Sequence, residues 1–171
     1  MSSVPIDVAR DLFRHMEWAD AAFWRTMIAK PDVLEDERLI KLVQHLHVVQ
    51  RAFFSMWNEI RVSAEELYAP LSPDEMRAAA RELYPQIDAF VSGAESRLGD
   101  IVLMPWLRHF EKQLGRSLQS PTFSETFLQL PMHSTYHRGQ INMRLRELGA
   151  EPPLVDYIAW IWFGRPSPEW P

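Results

Sequence analysis

Pro131-Met-His-Ser-Thr-Tyr-His-Arg-Gly-Gln-Ile141 is the stretch of this 171-residue chain from which both fold and chemistry can be argued. It places His133 and His137 four residues apart. In a helix, residues at this spacing project from one face about one turn apart, so two imidazoles can grip a single metal ion. A chain with six histidines also gives such a pair by chance, and two ligands leave a divalent ion mostly solvated. The stretch therefore predicts half of a metal site and requires a third ligand.

Apolar residues recur at spacings of three and four through four long segments, which is the pattern of amphipathic helices. The predicted helices span residues 6–30, 36–60, 73–98 and 123–148. Ser72 and Thr122 begin capping boxes that mark the starts of the third and fourth helices. Pro85 and Pro131 lie inside predicted helices, where each removes a backbone donor and should bend the helix.

The remaining segments read as connections. Residues 62–71 have no clear period, and residues 100–120 form a long crossover connection. After Pro153, an aromatic run predicts a short C-terminal helix; its members are Tyr157, Trp160, Trp162 and Phe163. The expected fold class is therefore all-α: a four-helix bundle with a long crossover connection and a short C-terminal helix, in one domain over residues 1–171.

Composition limits the possible partners. The formal net charge is −5 and the basic residues are scattered, so the chain repels nucleic-acid backbones and anionic lipid, and neither is an expected partner. The chain has no cysteine, which excludes disulfides, thiolate ligands and a protein thiol nucleophile. With no signal-like N-terminus and no run of roughly 20 apolar residues, we expect a cytoplasmic protein.

The third ligand should lie on the core-facing stripe of another helix. His45 lies between Leu42 and Val49 on the side of Leu46, whereas His47 lies two positions away, on a different face and towards an outer flank. His45 is therefore the better candidate. The ordinary alternative is that His45 is a hydrogen-bonded core histidine.

Three segments resemble one known family. The segment from His133 to Ile141, continued by Leu145-Arg-Glu-Leu-Gly149, Pro152-Pro153 and Asp156, resembles the C-terminal signature of the DinB-like (YfiT-like) metalloproteins. His45-Leu-His-Val-Val-Gln50 with Phe53 and Trp57 is similar to the family's second helix. Trp18-Ala-Asp20 resembles its first helix, where Asn is more usual at the position of Asp20. Residues 62–120 add little to the likeness.

The resemblance implies a four-helix bundle that holds zinc or nickel through His45, His133 and His137. It also implies small-molecule partners, since characterised relatives include bacillithiol S-transferases and a mycothiol-dependent maleylpyruvate isomerase. The expected function is a metal-dependent transferase or isomerase that activates a low-molecular-weight thiol, of the glutathione, bacillithiol or mycothiol type, for attack on an electrophile. The alternatives are a non-catalytic metal-binding stress-response bundle and a metal-dependent hydrolase. An acid or base near the metal would favour an enzyme, and Asp20 is the one candidate that the sequence offers.

Supporting residues are harder to place from sequence. Ligating histidines usually donate their second N–H to a partner, and helix position makes Asp20, Glu17 and Gln140 candidates. Arg138 is a candidate to pair with a carboxylate or an anionic substrate group, and a surface salt bridge is the more ordinary expectation. The aromatic cluster of Tyr157, Trp160 and Trp162 is expected in the core or beside a substrate pocket. A homodimer is also expected, because helix 2 carries two apolar stripes; the candidate interface residues are Val43, Phe54 and Trp57.

Overall fold

Helices make up the regular structure of the computed structural model, which describes residues 4–171. The α-helices in this range are α1 (Ile6–Ala29), α2 (Glu37–Trp57), α3 (Ala64–Leu67), α4 (Pro73–Gly93), α5 (Leu107–Leu114), α6 (Phe123–Glu147) and α7 (Tyr157–Trp162). Two 3-10 segments, Pro31–Glu35 and Glu95–Arg97, follow α1 and α4. Within the described residues, β pairing is limited to an isolated antiparallel bridge between Ile101 and Thr122. The all-helical prediction is confirmed.

The third and fourth long helices, α4 and α6, begin where the predicted caps place them. Ser72 and Thr122 each accept from the backbone N–H three residues on, and Glu75 and Glu125 complete the two capping boxes. Two predicted ends lie too far along the chain. Helix α2 stops at Trp57, because Glu59 takes a left-handed conformation with φ of 57° that cannot continue a helix. Helix α4 stops at Gly93, and a 3-10 turn fills the distance to Gly99.

Both prolines lie inside continuous helices, Pro85 in α4 and Pro131 in α6. The connections hold more helix than their composition predicts. Residues 62–71 contain α3, whose single turn is capped by Ser63 and Glu66, and residues 100–120 contain α5. Those two helices are short, so periodicity over a long window misses them.

Pairwise packing of the long helices creates the core. Helices α1 and α2 each contact both α4 and α6. One buried cluster includes Phe13, Trp57 and Phe127, and another includes Trp24, Leu46 and Ile141. The proposed dimer residues were wrong in part: Val43 and Trp57 are 0% exposed, because the second apolar stripe of α2 packs inside the molecule. Phe54 is half-buried and packs against the core.

The C-terminal region covers one side of α1. Trp160 of α7 is 2% exposed and packs with Trp18, whereas Trp162 is 72% exposed. Beyond α7, Trp170 donates its indole N–H to Glu17 Oε1 at 3.1 Å. Trp160 also lines a cavity of about 310 Å³ beside α1 and α4. Among residues 4–171, no helix has the length and apolar character needed to cross a membrane.

Candidate metal centre

Three histidines from two helices lie together. His45 comes from α2, and His133 and His137 come from adjacent turns of α6. The ring centroid of His137 lies 4.5 Å from that of His45 and 4.4 Å from that of His133, and the centroids of His45 and His133 are 5.8 Å apart. One nitrogen of each ring lies within 4.8 Å of the others, so the cluster could hold a single metal ion. The structure therefore unites the three residues that the sequence proposes as ligands.

The hydrogen bonds of these rings suit metal binding. Nε2 of His133 is buried and has no hydrogen-bond partner, which is costly for a polar atom unless an ion uses its lone pair. Nδ1 of His137 donates to Gln140 Oε1 at 2.8 Å, which leaves the lone pair on its Nε2. A donor set of three imidazoles is one that zinc and nickel accept. The residues present therefore fit the expected ion.

Burial favours the neutral form of the His133 and His45 imidazoles. Burial, followed by the nearby His137 and His45 rings, lowers the pKa of His133 to about 4. Burial also lowers the pKa of His45, with a smaller contribution from His137. Since only a neutral ring offers a lone pair, both side chains are ready to bind a cation at neutral pH.

One side of the cluster faces solvent. His45 and His133 are half-buried, and the ring of Tyr136 lies edge-on to His137 at 5.1 Å while remaining 65% exposed. A cavity of about 480 Å³ lies elsewhere, between the C-terminal end of α2 and the segment after α4, and none of the three histidines lines it. The histidine cluster can therefore be reached from the surface without passing through that cavity.

The sequence predicts that His47 lies towards an outer flank of α2, and this prediction is wrong. His47 is 5% exposed, and its ring lies beside and nearly parallel to that of Trp24, whose indole N–H donates to His47 Nε2 at 3.0 Å. Nδ1 of His47 donates to Gln50 Oε1 at 2.8 Å. Both ring nitrogens are used, so His47 is a satisfied core histidine; burial lowers its pKa. Its side of α2 is covered by the rings of Phe23 and Trp24, which reach across from α1.

Of the three candidate partners for the ligands, only Gln140 contacts one of them. Glu17 accepts from Trp170 instead. Asp20 is 0% exposed and accepts from Arg138 Nη1 at 2.9 Å and from Gln50 Nε2 at 2.8 Å. Arg138 is therefore not on the surface: its side chain is 2% exposed, in a buried ion pair.

Sequence reasoning missed Gln50 and Tyr84 as members of this polar network. The Tyr84 hydroxyl donates to Asp20 Oδ2, and burial followed by the Asp20 charge raises the pKa of Tyr84, so it stays a donor. Gln50 Nε2 also lies 3.4 Å from Ser134 Oγ. The one available signal was an Asp in the apolar stretch of α1, because a buried carboxylate needs partners.

The sequence model of the DinB family matches residues 11–167. That range contains the three clustered histidines and the whole buried polar network. No curated protein matches the chain significantly, and neither does any solved structure.

Proposed function

Because the chain belongs to the DinB family, whose model covers residues 11–167, we propose that His45, His133 and His137 bind one divalent metal ion, zinc or nickel. We further propose that the protein is a metal-dependent transferase or isomerase that activates a low-molecular-weight thiol. The observation that supports both proposals most directly is the cluster of three imidazole nitrogens within 4.8 Å of one another. We also infer the bundle architecture, with the residues between α4 and α6 as its long crossover connection.

If His45, His133 and His137 hold a divalent ion, three neutral imidazoles would leave it its full charge, and the ion would make a bound thiol or water more acidic than it is in solution. The chain itself supplies the conditions for this. Gln140 fixes the tautomer and orientation of His137. The half-buried His45 and His133 leave room for a small molecule to approach from solvent.

The absence of cysteine from the sequence favours a thiol cosubstrate. With no cysteine in the sequence, sulfur chemistry requires an external thiol, and no protein thiolate competes for the metal. In the proposed transfer, the thiol gives up its proton and its sulfur bonds to a carbon of the second substrate, which loses a leaving group such as halide or opens an epoxide ring. In the proposed isomerisation, the thiol adds to a double bond of the substrate and leaves again after rotation about that bond. A glutathione, bacillithiol or mycothiol type of thiol satisfies this chemistry.

Metal binding is tested on protein purified without an affinity tag. Elemental analysis should give about one zinc or nickel per chain, and alanine at His45, His133 or His137 should remove it, because two imidazoles cannot replace the hydration shell of the ion. His109→Ala is the matched control, since His109 is exposed on α5. Retention of metal by all three variants would remove the basis of the proposal.

Stability gives a second measurement of binding. An ion that binds only the folded state adds about 4 kcal/mol when its concentration is a thousandfold above Kd. At about 2–4 °C per kcal/mol for a chain of this size, chelation should lower Tm by about 8–16 °C. The alanine variants of the three ligands should show almost no further loss on chelation.

The reaction is tested by screening glutathione, bacillithiol and mycothiol against electrophiles such as halogenated aromatics, epoxides and maleylpyruvate-like dienoates. Metal-dependent consumption of one thiol that is lost in His133→Ala supports the transferase or isomerase proposal. Metal-dependent hydrolysis without thiol would instead indicate a hydrolase. Full metal occupancy with neither reaction would favour a non-catalytic metal-binding protein.

A homodimer is also part of the proposal. Burial of Val43 and Trp57 removes them from any interface, which leaves exposed apolar side chains elsewhere, such as Met132, Tyr136 and Met143 of α6. Sedimentation equilibrium at micromolar concentration should give about twice the 20.0 kDa chain mass. A mass of one chain would contradict the dimer without affecting the metal proposal.

A further inference from the structure

The carboxylate of Asp20 receives a hydrogen bond from each of the other three long helices. Gln50 of α2 donates to Oδ2 at 2.8 Å, Tyr84 of α4 donates to the same oxygen, and Arg138 of α6 donates to Oδ1 at 2.9 Å. Asp20 and Gln50 are 0% exposed, and Tyr84 and Arg138 are each 2% exposed. The two helices that carry the clustered histidines are thus tied to the same carboxylate on α1, one to each oxygen.

The tie to α6 reaches the turn that carries both of its histidines. Arg138 follows His137 directly, and its Nη2 donates to Thr135 Oγ1 at 2.9 Å. The Thr135 hydroxyl in turn donates to the backbone carbonyl of Pro131 at 2.9 Å. A continuous chain of bonds therefore runs from Asp20 to Pro131 and spans the positions of His133 and His137.

This turn needs such support. Pro131 has no N–H, so α6 lacks one backbone hydrogen bond just before His133, and a helix bends most easily at such a position. Movement of this turn would shift two of the three imidazoles relative to His45 on α2. Metal affinity depends steeply on ligand placement, since coordination distances are fixed to within about 0.2 Å.

We propose that Asp20 is a positioning residue for the metal centre, acting through Arg138 and Thr135 on α6 and through Gln50 on α2. This inference rests on the proposed metal-binding function. Asp20 does not touch the histidines; it sets the relative placement of the helix turns that carry them. Gln140 orients a single ring, whereas Asp20 fixes the spacing between ligands from different helices.

If Asp20 and its partners only stabilised the fold, metal affinity would fall in proportion to the loss of stability in every variant. Two threonine variants of α6 separate a positioning role from this purely structural one. Thr135→Val removes the hydroxyl that links Arg138 to Pro131, at an exposed position. Thr126→Val removes a buried hydroxyl that accepts from Trp57 Nε1 at 3.0 Å and donates to the Phe123 carbonyl at 2.8 Å. Both changes weaken α6, and Thr126→Val also cuts a bond between α2 and α6, but Thr126 lies nearly two turns before the ligands.

Asp20→Asn is the direct variant. The amide keeps one oxygen for Arg138 but presents an N–H₂ group to the donors of Gln50 and Tyr84, so the common acceptor is lost. Zinc Kd is measured by chelator competition, and the coordination geometry is read from the visible absorption of the cobalt-substituted protein. Amide hydrogen exchange in residues 131–138 is measured on metal-free protein, at a temperature where every variant is folded.

Asp20→Asn and Thr135→Val should each raise the zinc Kd about tenfold or more and alter the cobalt spectrum, as loss of groups that orient ligands usually does. Both should also speed exchange in residues 131–138. Thr126→Val should leave the zinc Kd and the cobalt spectrum unchanged, although it should lose more stability than Thr135→Val. The inference is overturned if Thr126→Val weakens zinc binding as much as Thr135→Val, or if exchange in residues 131–138 does not respond to Asp20→Asn. If the wild-type chain binds neither zinc nor cobalt, the metal-binding proposal fails, and the exchange data alone decide whether Asp20 holds this turn.

Discussion

The Asp20–Arg138 pair should dominate the polar contribution to stability, and its removal gives a large effect of known sign. Arg138→Met keeps the length of the side chain but leaves the Asp20 carboxylate, which is 0% exposed, without its cation. Breaking a buried pair from one side costs about 3–5 kcal/mol, because the remaining charge is desolvated and unpaired. That is a large share of the roughly 5–15 kcal/mol that stabilises a typical domain.

Urea denaturation with excess chelator measures this cost without any metal contribution. At about 2–4 °C per kcal/mol, Arg138→Met should also lower Tm by roughly 6–20 °C. The matched control is Arg14→Met: Arg14 lies 3.9 Å from Asp11 with its side chain 61% exposed, and exposed pairs contribute about 1 kcal/mol or less.

A double-mutant cycle separates the pair from its surroundings. In Asp20→Leu with Arg138→Met, both charges are gone, so the loss should be smaller than the sum of the two single losses by several kcal/mol. The double variant should still be less stable than the wild type, because the donors of Gln50 and Tyr84 lose their acceptor at about 1–3 kcal/mol each. Additive single losses, or an Arg138→Met cost no larger than that of Arg14→Met, would refute the view that this pair is a coupled, desolvated unit.

Three further predictions follow from individual residues. His47→Ala should retain metal in elemental analysis yet lose stability in urea, because it leaves the indole N–H of Trp24 buried without an acceptor. The pKa of Asp36 is lowered to about 2, first by the Arg144 side chain and then by the Leu39 amide. The stabilisation by the Asp36 carboxylate is therefore present above about pH 4 and disappears as pH falls towards 2. The stability difference between wild type and Asp36→Asn, measured in urea, should shrink over that range. Glu59 has φ of 57° at the C-terminal end of α2, and Glu59→Gly should raise stability by about 0.5–1 kcal/mol while Glu59→Ala, which keeps the β-carbon, should not.

The parts of the fold that sequence predicts are those set by local chemistry. Apolar spacing and the capping residues Ser72 and Thr122 locate the long helices to within a few residues, since each signal acts over one or two turns. The spacing of His133 and His137 is equally local. Chemistry within one helix can therefore be predicted before the tertiary structure is known.

Contacts between helices could not be predicted in the same way. The sequence predicts His47 and Val43 on the outside of α2, because α2 has apolar residues on two sides and periodicity does not say which side a neighbouring helix covers. Only the position of α1 shows that Trp24 packs on His47. The burial of Arg138 could not be predicted for the same reason. Its partner Asp20 lies 118 residues away, and nothing in the sequence between them indicates that the two side chains pair.

Helix α6 reverses the usual distribution of side chains, and it does so at the histidine cluster. Ser134 and Arg138 are buried, while Met132 and Tyr136 of the same two turns are 66% and 65% exposed. A helix selected for stability alone would bury the apolar pair and expose the polar one. Burying Arg138 requires Asp20 as its counter-charge, and the Asp20 carboxylate in turn accepts from Gln50 and Tyr84. Several positions on other helices therefore support this one turn. Departures from local rules that need such compensation are expected where a site must hold its geometry, and this one surrounds His133 and His137.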